Sequence, residues 1–510
     1  MKRHVMKPCR PTVARLSIIG LALGGLLLGS GPRNAGATPA DPLAATFTTL
    51  LNFAGTNGGN PYDSLVEGTD GNLYGTTRAG GAHDGGTIFQ MTPAGSQTVI
   101  YSFCTQSRCS DGTLPNGLAL GSDGNFYGTT YGGGAGGLGT VFQMTPAGTL
   151  TTLYSFCMSS GCPDGSGPHA SLVEGTDGNF YGTTVFGGST LNTGVAFKIT
   201  PTGTMTTLYR FCSQAGCADG AYPTAALVLG VNGNFYGTTE SGGTQGVFGT
   251  AFEISSSGTL TTLYSFCALT SCADGAVPEG PLVQAPNGTF YGVATDYGAN
   301  GSGGTIFGIT SKGNYKVIYS FCGQTNCADG SGPTGGLVRA TDGNFYGTTY
   351  QGGASTACNS TTILGCGTVF EITPKGTFTT LQSFTGTDGA TPYFGLVQGT
   401  DGSFYGATYS GGTSNAACYI GCGTVFSLSN GLGPFVEVLP VYGTVGATIQ
   451  ILGSDLTGAT AVSFNGTAAT FTVTSSTLIT ATVPTGATPG FITVTTPTGT
   501  LKSNTRFLVE

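Results

Sequence analysis

The stretch Leu73-Tyr74-Gly75-Thr76-Thr77 decides the fold, because it returns almost unaltered around Tyr127, Tyr181, Tyr236, Tyr291, Tyr346 and Tyr405. One unit is written seven times, with the tyrosines 53, 54, 55, 55, 55 and 59 residues apart. Self-similarity at such a period marks solenoids, propellers or arrays. Outward from the tyrosine, the second copy reads Gly117-Leu118-Ala119-Leu120, a turn at Asp123-Gly124, Asn125 to Thr130, a glycine loop, Thr140 to Met144, a Pro146-Ala147-Gly148 turn, and Leu150 to Phe156. These are four short strands rich in Val, Phe, Tyr and Thr and bounded by turn residues. Every copy carries Asx-Gly at the first turn, at Asp70, Asp123, Asp177, Asn232, Asn287, Asp342 and Asp401. That dipeptide suits a two-residue type I′ hairpin, so the first two strands are expected to be antiparallel neighbours.

Four antiparallel strands repeated seven times fit an all-β, seven-bladed β-propeller over residues 46–430 better than a β-helix, whose coils are shorter. The chain opens with an extra copy of the fourth strand, Thr46 to Phe53, and the seventh unit stops after its third, Gly423 to Leu428. With the strand near Pro61 innermost, the N-terminal strand would complete the last blade and close the ring. Strands alternate in direction, which puts all the tight turns on one face. The glycine loops and interblade loops fall together on the other.

Composition agrees with a turn-rich body that still has a core: of 510 residues 91 are Gly, none is Trp, 8% are charged and 39% are hydrophobic. Residues 1–37 carry Lys2, Arg3, Lys7, Arg10, Arg15 and Arg33, with the apolar run Leu16 to Leu28 and a small-residue Ala35-Gly36-Ala37 site. That is the layout of a secretory signal peptide, and thirteen apolar residues fall short of the roughly 20 a membrane span needs. Without the leader, ten basic residues face twenty-four acidic ones, a balance of −14. Nucleic acid is thereby excluded as a partner class, no membrane span is expected after signal removal, and a secreted or cell-surface location follows.

Apart from Cys9 in the leader, the cysteines form short-range pairs. Five interblade loops hold Cys104/Cys109, Cys157/Cys162, Cys212/Cys217, Cys267/Cys272 and Cys322/Cys327, and two glycine loops hold Cys358/Cys366 and Cys418/Cys422. Pairing within each loop is the simplest connectivity in an exported chain. Thiolate zinc sites lack supporting ligands, since only His83 and His169 follow the leader. The same face carries Asp111, Asp164, Asp219, Asp274, Asp329 and Asp388, each in an interblade Asp-Gly. They have two readings: a ring for cations or sugar hydroxyls, or caps on their own turns. Tyr131, Phe186, Tyr350 and Tyr409 enter that face near the Thr-Thr position or its equivalent and are candidates to stack on sugar rings, or to pack beneath the loops.

From Pro434 to Glu510 the pattern changes to strands at wider, less regular spacing, among them Gly446 to Gly453, Val462 to Gly466 and Leu478 to Pro484, which suggests a small β-sandwich. Its Ile-x-Ile-x-Gly opening, Val-x-Phe-Asn-Gly strand and closing Val-Pro resemble the IPT/TIG immunoglobulin-like family. The repeat part is similar to the GloVer ("choice-of-anchor") tandem-repeat proteins of bacteria. The carrying residues are Asp-Gly-Asn-Phe-Tyr-Gly-Thr-Thr at 123–130 and 342–349 and Gly-Thr-Val-Phe-x-x-Thr-Pro at 139–146 and 367–374. This resemblance implies an exported surface or secreted protein with no established activity. Members commonly end in a sorting signal, whereas this chain ends Arg506-Phe507-Leu508-Val509-Glu510, so a covalent anchor is not expected.

No nucleophile motif, Gly-Lys phosphate loop or His cluster appears, so no catalytic residue, metal or cofactor is assigned. The reading is a non-catalytic binding or scaffold protein whose partner is extracellular polysaccharide or another surface protein. Two alternatives stay open: a glycan-active hydrolase or lyase, for which Glu67 and Glu174 could meet across the ring, and a structural spacer.

Overall fold

A computed structural model describes residues 45–359, 365–414 and 421–510. The leader read at 1–37, with Cys9, and Cys418 lie outside them. Among the described residues no helix is long and apolar enough to cross a membrane.

Each tyrosine repeat folds into a small antiparallel sheet, and the seven sheets follow one plan. In the fourth repeat Val228–Leu229 pairs with Phe235–Thr239, which pairs with Thr250–Ile254, which pairs with Leu260–Ser265. In the seventh, Val397–Gln398, Phe404–Thr408 and Thr424–Ser429 are joined by the N-terminal strand Thr46–Asn52, with Phe47 opposite Leu428 and Asn52 opposite Thr424. The molecule is thus an all-β, propeller-like repeat of four-stranded antiparallel sheets.

Both faces of each sheet are covered by a neighbour, so the apolar residues build clusters between repeats rather than within them. Tyr127, Val141 and Phe156 of the second repeat pack with Leu172, Phe180 and Phe197 of the third. Tyr236 and Phe266 of the fourth meet Phe290 and Phe307 of the fifth in the same way. The series comes full circle, because Tyr405 and Val425 of the seventh repeat pack with Leu65, Leu73 and Phe89 of the first. Within these clusters the recurring tyrosine stacks on the next repeat's phenylalanine, at centroid separations of 3.8 Å for Tyr127 on Phe180 and 3.9 Å for Tyr181 on Phe235. Such pairs contribute roughly 1 kcal/mol each beyond the area they bury.

The hairpin residues complete the tyrosine. Tyr127 Oη donates to Asp123 at 2.9 Å and Tyr405 Oη to Asp401 at 2.7 Å, so the buried ring keeps a bonded polar tip. The turn type differs from the expected I′. None of the seven Asx residues has positive φ; the glycine does, at +79° for Gly124, and Gly124 N donates to Gly121 O while Gly121 N donates to Asn125 O. This is a type I turn followed by a left-handed glycine. The aspartate prefers it because its carboxylate then accepts from Asn125 N at 3.0 Å.

Residues 436–509 form two four-stranded antiparallel sheets, one of Val436–Leu439, Thr448–Gly453, Leu478–Thr482 and Phe471–Val473, the other of Thr467–Ala468, Ala461–Phe464, Ile492–Thr496 and Gly499–Lys502, plus a short parallel pair. Val436, Ile451, Phe464, Ile479, Ile492 and Phe507 form their shared core. This module rests on the hairpin turns of the repeats. Tyr442 Oη donates to Gly175 O, Thr477 Oγ1 to Thr69 O and Ser454 Oγ to Thr400 O, while Asn504 bonds Arg339. Leu452 joins the apolar cluster of the first and second repeats.

Candidate functional site

One proline in each repeat sets the geometry of the opposite face. Pro61, Pro115, Pro168, Pro223, Pro278, Pro333 and Pro392 each seat against a glycine that precedes the third strand of the preceding repeat, the first proline against Gly423 of the seventh. These glycines have φ of +88° to +110°, and a Cβ on any of them would lie 2.6–2.9 Å from the proline Cδ. Glycine is required there on two counts, backbone conformation and space. The seat fixes where the residue after the proline goes, and that residue varies: Tyr62, Asn116, His169, Thr224, Glu279, Thr334 and Tyr393. All but Asn116 line one cavity of about 560 Å3 at the loop end of the repeats. The residue after Thr-Thr supplies more of the wall, as Arg78, Tyr131, Val185 and Glu240. Cavities of this size commonly hold small ligands, with apolar walls and a few placed polar groups.

The wall is divided by charge. On the side of the first repeats, the Arg78 guanidinium lies 3.1 Å from the centroid of the Tyr62 ring and 5.4 Å from that of Tyr131, and Nη2 donates to Asn116 Oδ1 at 3.1 Å. Asp63 accepts from Ser64 N and from Gly117 N of the next repeat, and burial pushes its carboxyl up to about 6. His169 Nε2 lies 3.0 Å from Tyr62 Oη; burial, with Arg78 nearby, pulls the imidazole down to about 4, so it is neutral at neutral pH. On the side of the fourth and fifth repeats, burial and the charge of Glu240 push the Glu279 carboxyl up to about 7. Glu240 and Asp296 are raised by burial as well. Aromatic rings span the two sides: Tyr62 faces Tyr393 at 6.2 Å and Phe394 at 4.5 Å.

The aromatic candidates from the sequence converge here. Tyr131 and Phe186 line the cavity, Tyr350 packs on Tyr393 at 5.6 Å, and Tyr409 meets Tyr62 edge-on at 6.2 Å. The aspartates do not. Asp111 accepts from Tyr101 Oη and from Thr105 N and Oγ1, and Asp219 from Tyr209 Oη and from Ser213 N and Oγ. Asp164 takes Tyr154 Oη and Cys157 N, Asp274 takes Tyr264 Oη and Ala268 N, Asp329 takes Tyr319 Oη and Gly323 N, and Asp388 takes Gln382 Nε2 and Thr385 N. Asp111, Asp219, Asp274 and Asp329 are 0% exposed. The ring of ligand carboxylates is therefore corrected to a set of loop caps, five tying a fourth-strand tyrosine and Asp388 tying Gln382 to its own loop.

The disulfides Cys104–Cys109, Cys157–Cys162, Cys212–Cys217, Cys267–Cys272, Cys322–Cys327 and Cys358–Cys366 close their own loops. Cys422 is also disulfide-bonded. Among the described residues no group of His, Cys, Asp and Glu could hold a metal ion. Glu67 and Glu174 do not form a facing pair: Glu67 accepts from Thr400 N and Oγ1, and Glu174 from Ser122 N and Oγ, each binding the preceding repeat. Arg78, His169, Glu279, Tyr62 and Tyr393 went unrecognised in the sequence; the signal for the last four was the varying residue after an invariant proline, and for Arg78 the position after Thr-Thr.

Fold and site define a propeller-like repeat protein with a ligand-sized cavity at its loop end. The sequence matches the Gloeobacter/Verrucomicrobia repeat over residues 23–229, 160–363 and 326–479, three overlapping stretches that take in most of the chain, and the protein belongs to that family. No curated protein matches it. Among solved structures it is similar to two extracellular domains from B. thetaiotaomicron assigned to hybrid two component systems, at 9% identity and TM-score 0.49 for one and 11% and 0.47 for the other. Those matches cover 81% and 91% of this chain but only 46% and 57% of the other, so the chain spans about half the length of these neighbours. A luciferin-regenerating enzyme is similar at 10% identity and TM-score 0.39, over 77% of this chain and 98% of its own.

Proposed function

We propose that this protein is an exported, non-catalytic binding module: a closed seven-bladed β-propeller over 46–430, with an IPT/TIG-like β-sandwich at 434–510 covering the hairpin face, that recognises extracellular polysaccharide in the loop-end cavity. The observation that carries it is the contrast in side chains around the axis. Proline, glycine and the Tyr-Gly-Thr-Thr strand or its near variant repeat at equivalent positions, whereas the residues that scaffold sets on the cavity wall change from repeat to repeat among Tyr, His, Thr, Glu, Arg and Val. A spacer has no use for such a wall, which combines aromatic faces with hydrogen-bonding groups as sugars require. Export is supported by the disulfides, which persist in oxidising compartments.

A glycan-active hydrolase is the second reading, favoured by one feature: Glu279 holds its proton up to about 7 beside Glu240 on the cavity wall, as a general acid would. A glycan array with the mature chain, followed by product analysis of each hit, separates the two. Binding that Tyr393→Ala and Tyr62→Ala weaken at least tenfold, with no cleavage, supports the module. New reducing ends that Glu279→Gln abolishes would replace it with the hydrolase.

A further inference from the structure

The two sides of the cavity carry opposite charges, and neither is closed by an ion pair: Asp63, the carboxyl within electrostatic reach of Arg78, is bonded to Ser64 N and Gly117 N instead. Among the described residues the one ion pair joins Lys198 to Asp177, at a hairpin turn away from the cavity. Arg78 thus has no carboxylate at ion-pairing distance. Its Nη2 reaches only the neutral Asn116 amide, and its Nε is buried without a hydrogen-bond partner. Opposite, Glu279 accepts a single bond from Thr295 Oγ1 at 3.2 Å, and Glu240 has neither a cation nor a donor on its carboxyl. Charges drawn out of water are ordinarily paired, whereas this wall holds two charged groups of opposite sign with no ion-pair partner, with the Tyr62 ring within electrostatic reach of both.

We propose that the cavity receives a zwitterionic sugar unit, with an ammonium group at Glu240 and Glu279, a carboxylate at Arg78, and its ring over the tyrosines between them. This rests on the polysaccharide reading above. A neutral sugar would leave both charges unanswered. A purely anionic one would meet the carboxyl side, and a purely cationic one would meet Arg78. The aromatic floor is sequence-tolerant, so discrimination falls to the two charged ends, each of which rejects a ligand that lacks its complement.

The test uses the mature chain and three defined oligosaccharides in isothermal titration: oligosialic acid, which carries carboxylates only; the same oligomer de-N-acetylated, which carries both charges; and chitosan oligomer, which carries ammonium groups only. The de-N-acetylated oligomer is expected to bind at least tenfold more tightly than either of the others. Glu279→Gln should reduce that preference over oligosialic acid, and Arg78→Gln the preference over chitosan, each about tenfold. A measurement on the unaltered chain guards against a variant that fails to fold: raising NaCl from 50 to 500 mM should weaken the zwitterion by tenfold or more. Equal binding of all three oligomers, or binding indifferent to salt, overturns the zwitterion and leaves the polysaccharide reading standing. No binding to any glycan, here or on the array, overturns both.

Discussion

The two ends of the ring are built from the same repeats and do opposite things. At the hairpin end, Asp70, Asp123, Asp177, Asn232, Asp342 and Asp401 bond the tyrosine of their own sheet, Glu67 and Glu174 bond the neighbouring repeat, and the C-terminal module covers the turns. At the loop end, the proline and its glycine seat are constant, but the residue they present changes from Tyr62 to His169 to Glu279, and a cavity stays open between them. The difference teaches that repetition serves stability wherever a side chain has a partner in the scaffold. Variation collects on the wall of the loop-end cavity.

The largest break in this comparison is removal of the strand both ends share. Deleting residues 46–53 takes Phe47 and Phe53 from their clusters and leaves Thr424–Ser429 as an open edge. We expect loss of a cooperative melt and aggregation, seen by scanning calorimetry and light scattering; an unchanged melt would contradict the ring closure. Next in size is Gly139→Ala, which forces a residue with φ of +110° to place a Cβ 2.6 Å from Pro168 Cδ. It should destabilise by about 3 kcal/mol in denaturant titration and displace His169 from the cavity. Replacing Cys212 and Cys217 with Ser opens one loop disulfide. Its cost is expected at about 2 kcal/mol or less, with faster hydrogen exchange confined to residues 212–220.

The subtlest test sets one carboxyl against another. Glu437, on the C-terminal module, is pushed up to about 7 by burial and by Glu67, much as Glu279 is pushed up to about 7 at the loop end. A carboxyl raised on folding holds a proton that the unfolded chain releases, so stability falls as pH rises from the ordinary glutamate range to about 7 and then levels off. Glu437→Gln should remove its own share of that slope and raise stability by about 1 kcal/mol at pH 8, while leaving ligand affinity within twofold. Glu279→Gln should change both the melt and the affinity. Should Glu437→Gln alter binding as strongly as Glu279→Gln, the two ends are not separate devices.

Much of the scaffold was legible in the sequence because each repeat solves the same packing problem. Tyr127 needs an apolar neighbour for its ring and an acceptor for its hydroxyl, and Phe180 and Asp123 stand at fixed offsets to supply them. The aromatic candidates were legible for a related reason: the end of the Thr-Thr strand leads into the loop end, where Tyr131 and Phe186 line the cavity and Tyr350 and Tyr409 pack on its rings. The aspartates stayed between two readings because Asp-Gly at an interblade loop carries the same letters whether its carboxylate faces a ligand or Tyr209 Oη, and the contacts decide for the cap. The turn type misled, since an Asx side chain that accepts its own backbone N–H selects a type I turn with the glycine alone at positive φ.

The sequence by itself determined the strands, the number of repeats, the pairing of local cysteines and the end of the molecule that carries the long loops, because all of these follow from spacing within one unit. Only the tertiary structure decided that the residues after six of the seven prolines meet around one cavity, and that Arg78 lies on Tyr62 while Glu240 and Glu279 gather on the side of the fourth and fifth repeats. Those contacts join residues from different repeats, and they come together because each proline seats on the glycine of the repeat before it until Pro61 meets Gly423 and the ring closes.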